Sequence, residues 1–240
     1  MKTEYVYGMR NRGFSLGCQP MDGFVRRKDC VAGYHDLLVY NRKLTEKEVK
    51  DYELVLVKET LYHVYDEVKV QDVNVGETFV LGKTKWVKLD NSHGGCLCLS
   101  ADVLFNDCFD KGNQNDWATS SLRKNLVKII GEYIENNDAL VPFIRDLTTD
   151  DGMTEYGSCT DVVSLLTCNE YRKYRKLIPN CGQEHWTITA DSPKYLYHVL
   201  FIRFIDSDGC LGSSYAYTGR YGVRPLIVLK SDTLVTVAEE

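Results

Sequence analysis

Sustained helical periodicity is confined to two segments of this chain, and no other feature restricts its architecture as much. In NDWATSSLRKNLVKIIGEYIENN (Asn115–Asn137), Leu122, Leu126, Ile129, Ile130, Tyr133 and Ile134 recur at the spacing that lines one helix face with apolar groups. Thr119 or Ser120 stands where an N-cap is needed. In TCNEYRKYRKLIPN (Thr167–Asn180), Thr167 and Glu170 form a capping box and Pro179 marks the end. The remaining apolar residues fall in short strand-like runs. VGETFVLGKTKWVKLDNSHGGCLCLSADVLF (Val75–Phe105) reads as three strands with turns at Gly82 and at Asn91–Gly95. VVSLL (Val162–Leu166), HWTITA (His185–Ala190), YHVLFIRFI (Tyr197–Ile205) and GVRPLIVLK (Gly222–Lys230) complete the set. Two helices in a scaffold of short strands imply an α+β fold, not a doubly wound sheet.

Residues 1–57 read as a separate small α+β module. GFSLGCQPMDGFV (Gly13–Val25) is punctuated by Gly and Pro as a loop is. YHDLLVYNRKL (Tyr34–Leu44) holds a short strand. In LTEKEVKDYELVLV (Leu44–Val57), Thr45 and Glu48 form a capping box, Val49 and Tyr52 supply an apolar helix face, and Leu54–Val57 is an exit strand or the helix end. The charged stretch 58–74 is expected to be a linker, and 75–240 a second domain.

Bulk properties exclude several classes. The 240 residues are 44% hydrophobic and 26% charged, enough apolar content for a sizeable core. A net charge of −5 argues against a general nucleic-acid binder. Lys2, Arg10, Arg12, Arg26, Arg27 and Lys28 outnumber Glu4, Asp22 and Asp29 locally, which reads first as a solvated loop and second as a contact for phosphate or an acidic partner. The polar start and the lack of any long apolar run imply neither signal peptide nor membrane span. The nine cysteines are odd in number, in a chain too long to need staples, so free thiols in a reducing cytoplasm are expected. Cys96 and Cys98 alternate along a strand and should be buried together.

Chemistry-bearing motifs are sparse. None of the five histidines, His35, His63, His93, His185 and His198, falls in a hydrolase or metalloprotease pattern, and no phosphate-cradling glycine loop occurs. Cys181 and His185 can share a face, but no second pair at zinc-like spacing accompanies them. DSDG (Asp206–Gly209) carries two acids two apart without a full calcium ligand set, and NDW (Asn115–Trp117) sits before a helix. No catalytic residue, metal or cofactor is expected. Trp86, Trp117 and Trp186 read as core. Arg224, next to Pro225 in the last long strand, would need a carboxylate or several carbonyls if buried.

One segment reads as a recognition surface. SSYAYTGRY (Ser213–Tyr221) contains Ser, Tyr, Thr, Gly, Ala and Arg and no acid. Tyr gives rigid amphipathic contact area, and Ser and Gly adapt around it. Candidate ligand-binding residues are Ser213, Ser214, Tyr215, Tyr217, Thr218, Arg220 and Tyr221. The competing reading is a polar hairpin whose tyrosines lie on the core.

KWVKL (85–89), CLS (98–100), NDWATSSLRKNL (115–126), VVSLLTCNEYRKY (162–174), HWTITADSP (185–193), DGCLGSS (208–214) and YGVRPLIVL (221–229) together resemble a family of gut-bacterial, phage and mobile-element proteins. That family is similar to the C-type-lectin-like fold of formylglycine-generating enzymes and phage variable proteins. The resemblance implies that residues 75–232 form a lectin-like domain closed by Gly222, Val223 and Arg224, with Val where an aromatic often stands. It also implies that the segment before the closing strand holds ligand. The enzymes hold copper with paired cysteines, and Cys210 has no partner at suitable spacing. The module over 5–57 is similar to short mobile-element proteins related to a defence-against-restriction factor. The expectation is a non-enzymatic phage or mobile-element protein that binds a protein partner, a host defence factor such as a restriction or CRISPR nuclease. Alternatives are a lectin-like protein binding a ligand or surface receptor, and a formylglycine-generating-like oxidase.

Overall fold

The computed structural model describes residues 2–10, 19–28, 34–62, 67–134, 137–193 and 200–237. His63, His198, Cys18, Cys30, Tyr197–Val199 of the expected strand and residues 13–18 of the expected loop lie outside them. The chain forms two compact units, residues 1–65 and 66–238.

The first unit contains β1 (Lys2–Met9), β2 (Phe24–Lys28), β3 (Asp36–Tyr40), α1 (Glu46–Asp51) and β4 (Leu54–Tyr62). The strands form one antiparallel sheet in the order β2-β3-β1-β4. Period-2 alternation sorts the side chains. Tyr7, Met9, Leu38, Tyr40, Leu44 and Leu54 build one cluster, joined by Val49 and Tyr52 from the helix region, and Val6, Leu37 and Val39 build another. The Thr45–Glu48 capping box forms as expected. Two basic residues of β2 are engaged in ion pairs: Arg26 with Glu4 at 2.6 Å and Arg27 with Asp36 at 2.5 Å.

The second unit contains β5 (Glu67–Lys69), β6 (Thr78–Leu81), β7 (Thr84–Ser92), β8 (Gly95–Ser100), β9 (Phe105–Asn106), α2 (Ser121–Ile134), β10 (Phe143–Asp146), β11 (Ser158–Asp161), β12 (Val163–Ser164), α3 (Cys168–Tyr174), β13 (His185–Ala190), β14 (Phe201–Ile205), β15 (Leu211–Tyr215), β16 (Gly222–Val223), β17 (Leu226–Leu229) and β18 (Leu234–Val237). A seven-stranded sheet runs β12-β17-β8-β7-β6-β18-β5, a five-stranded sheet runs β15-β14-β13-β16-β9, and β10 pairs with β11. The architecture is α+β.

Alternation along β8 sends Cys96 and Cys98 into the main core, with Trp86, Trp117, Trp186 and the α2 residues Leu122, Leu126, Ile130 and Ile134. Leu97 and Leu99 face a second cluster with Val87, Leu89, Leu226 and Val228. The β7–β8 hairpin turns on His93 and Gly94, both at positive φ, the combination a tight primed turn requires. Gly82 is also at positive φ, and a Cβ there would sit 2.1 Å from the Tyr133 carbonyl near the end of α2.

The expected linker 58–74 is a correction. β4 runs to Tyr62, β5 pairs with β18, and Val70 and Val73 are buried in the core. Charged residues obscure these few apolar ones in the sequence, yet their burial decides the segment's structure. The Thr167–Glu170 capping box starts α3: Glu170 N–H donates to Thr167 Oγ1 at 3.0 Å and Thr167 N–H to Glu170 Oε2 at 2.8 Å. Thr167→Ala should cost about 1 kcal/mol, read from the shift in urea midpoint. A shift indistinguishable from zero would show the cap to be idle.

Candidate functional site

The candidate segment is built on the β14–β15 hairpin. Its tight turn is organised by Asp206, whose Oδ1 accepts from the N–H groups of Asp208 at 2.9 Å and Cys210 at 2.7 Å. The Asp206 carboxylate is thus accounted for as turn chemistry. The register pairs Phe201 with Tyr215, Arg203 with Ser213 and Ile205 with Leu211. β15 ends its sheet, so the outer row of backbone groups has no strand partner among the described residues.

Beyond β15 the chain turns, with Thr218 N–H donating to the Tyr215 carbonyl at 3.0 Å. Ala216 is fully buried, and its carbonyl accepts from Asp110 N–H at 3.0 Å. The Asp110 carboxylate in turn accepts from the N–H groups of Gly112, Gln114 and Ser121. This anchor fixes the turn against the start of α2 and leaves the flanking rings outside. Tyr215 is 41% exposed and Tyr217 55% exposed. Their rings stack at 5.3 Å between centroids and 22° between planes. Phe201 extends the row, 4.9 Å from Tyr215.

Polar side chains hold the strand beside this row. Ser213 Oγ donates to Asp191 at 3.0 Å and accepts from Arg203 at 2.6 Å. Arg203 also pairs with Asp150 and Asp191, each at 3.2 Å. Ser214 Oγ lies 3.4 Å from Thr218 Oγ1. Arg220 is exposed, near Glu184 at 3.5 Å, with its guanidinium 4.9 Å from the Tyr221 ring centre.

Tyr221 corrects the expected site. It is 2% exposed and packed between Trp186 at 4.4 Å and Phe204 at 4.5 Å. The segment is therefore divided: Tyr215 and Tyr217 face out, and Tyr221 is core. The reason is that Gly222 pairs with His185 on β13, which carries its neighbour into the sheet interior. Phe201, Asp191 and Arg203 were missed from sequence, because only strand pairing brings them to residues 213–217.

The other motifs acquire structural partners. Trp117 Nε1 donates to Asp161 at 2.7 Å, and Asp116 caps the turn after it through Ala118 N–H at 2.9 Å. Cys181 Sγ lies 3.7 Å from His185 Nδ1. That nitrogen also lies 2.9 Å from the Gln183 carbonyl, which can only accept, so Nδ1 carries the proton. It cannot take one from Cys181 in this arrangement. Among the described residues, no group of three or more His, Cys, Asp or Glu is placed to hold a metal ion. No helix among them is long and apolar enough to cross a membrane.

Comparison with curated proteins and with solved structures returns no match. Residues 2–59, most of the first unit, match the family model described as defence against restriction A C-terminal.

Proposed function

We propose that this is a non-enzymatic protein of a phage or mobile element that acts against restriction in the cytoplasm of a bacterial host. The observation that carries the reading is the family match over residues 2–59. In this proposal the second unit is a lectin-like domain that engages a protein partner. The exposed Tyr215–Tyr217 stack at the end of β15 supports that assignment. Aromatic rings of this kind dominate binding hot spots, and the β15 edge, which has no strand partner among the described residues, offers backbone groups to an extended segment of the partner.

The test uses the double substitution Tyr215→Ala/Tyr217→Ala. Both rings are exposed, so unfolding free energy should change by no more than about 1 kcal/mol. Capture of a restriction nuclease from host lysate, and protection of incoming phage DNA from cleavage, should fall about tenfold or more. Wild-type capture and protection in the folded double variant would remove Tyr215 and Tyr217 from the proposal. A wild-type protein that gives no protection at all would remove the anti-restriction reading itself.

A further inference from the structure

A second place in the fold is prepared for a ligand. A cavity of about 150 Å³ is lined by Tyr171, Arg175, Asn180, His185, Asp208 and Arg224, among others. Two buried polar side chains stand in its wall, Arg224 and His185. Arg224 is 2% exposed. Its Nε donates to the Ser100 carbonyl at 2.7 Å, and Nη2 donates to the carbonyls of Ala101 at 2.8 Å and Pro179 at 3.0 Å. None of these bonds uses Nη1, and all three partners are carbonyls rather than carboxylates. A buried guanidinium neutralised only by carbonyls favours an anion.

His185 is 3% exposed, and its Nε2 is buried with no hydrogen-bond partner among the described residues. Because Nδ1 carries the proton toward the Gln183 carbonyl, Nε2 presents a lone pair. It can accept and cannot donate. Arg175 stands at the cavity with its guanidinium against Tyr171 Oη and the Gly209 carbonyl, adding a second positive charge. Asp208 is exposed at the same cavity and offsets one of the two charges.

We propose that this cavity binds a small oxyanion that still carries a proton, of the hydrogen phosphate class, with the anionic oxygens on Arg224 and the O–H donating to His185 Nε2. The acceptor on His185 sets the specificity. An anion of similar shape without a proton would leave Nε2 unpaired and bring an oxygen lone pair against it. Sulfate is such an anion. A phosphate monoester, whose second ionisation lies near pH 6, is another above neutral pH. The site thus selects free hydrogen phosphate over both.

The experiment is calorimetric titration of the full chain at pH 7.5 with inorganic phosphate, sulfate and phenyl phosphate. One phosphate should bind per chain, and the other two should bind about tenfold or more weakly. His185→Phe keeps an aromatic ring in the wall but removes the acceptor, so phosphate and sulfate should then bind alike. Failure of the wild type to bind phosphate would overturn the proposal, as would equal affinity for sulfate. Discrimination that survives in a folded His185→Phe would overturn it too. If that variant does not fold, the wild-type ratio of phosphate to sulfate still decides.

Discussion

Replacing Arg145 by Met should lower the unfolding free energy by about 3–5 kcal/mol, the usual cost of removing one partner of a buried ion pair. Arg145 on β10 is 1% exposed. Its fork meets Glu170 on α3 with Nη1–Oε1 at 2.6 Å and Nη2–Oε2 at 2.5 Å. Nε donates to Ser164 Oγ at 3.1 Å and Nη2 to the Leu165 carbonyl at 2.9 Å. One side chain therefore ties β10, the end of β12 and the start of α3 together. Burial alone would raise the Glu170 carboxyl, but the Arg145 hydrogen bonds and charge outweigh it and hold the carboxyl below its ordinary value. Without Arg145 that carboxylate is stranded, and it is the same group that closes the Thr167 cap. Arg145→Lys keeps the charge without the fork and should recover only part of the loss. The double variant Arg145→Met/Glu170→Gln should be more stable than Arg145→Met alone, because the stranded charge is gone. Urea midpoints of the single variant within about 1 kcal/mol of wild type would contradict this account.

Acidification should cost about 3 kcal/mol through His185 alone. Burial, partly opposed by the Gln183 carbonyl and reinforced by the Arg224 guanidinium, lowers its pKa from 6.5 to about 4. Between those values the unfolded chain binds a proton that the folded chain refuses. Stability from this group is therefore complete above pH 6.5, falls as pH drops toward 4, and is level below that. The Glu170 carboxyl, held low by Arg145, is lost only at more acid pH, below its ordinary value of 4.5. The interval from pH 6.5 to 4.5 thus isolates the histidine from that carboxylate. His185→Phe should flatten the stability profile across this interval. Urea midpoints measured at pH 7 and pH 4.5 give the answer, and an equally steep loss in the variant would exclude His185 as its source.

The tyrosine segment shows where sequence reasoning stops. Composition identified Ser213–Tyr221 as unusual, and Tyr215 and Tyr217 are indeed exposed. It could not separate them from Tyr221, because all three are odd-numbered and alternate as strand residues do. The separation comes from the turn at Thr218 and from the pairing of Gly222 with His185, which reset the alternation. β1 was missed altogether. Its lysine, threonine and glutamate made it read as a polar terminus, yet Tyr7 and Met9 are core residues of the first unit.

Features that close within a few residues are legible in the chain before it folds. The Thr45–Glu48 and Thr167–Glu170 caps, the Leu122–Ile134 face of α2 and the common burial of Cys96 and Cys98 belong to this class. Each depends on a backbone period or a local side-chain reach that no distant residue has to supply. Long-range packing set the pairing of Arg145 with Glu170, the contact of Arg224 with Ser100 across 124 positions, and the unpaired Nε2 of His185 beside it. Those depend on which strands become neighbours, and strand pairing is set by collective burial of the whole core, which no local pattern encodes.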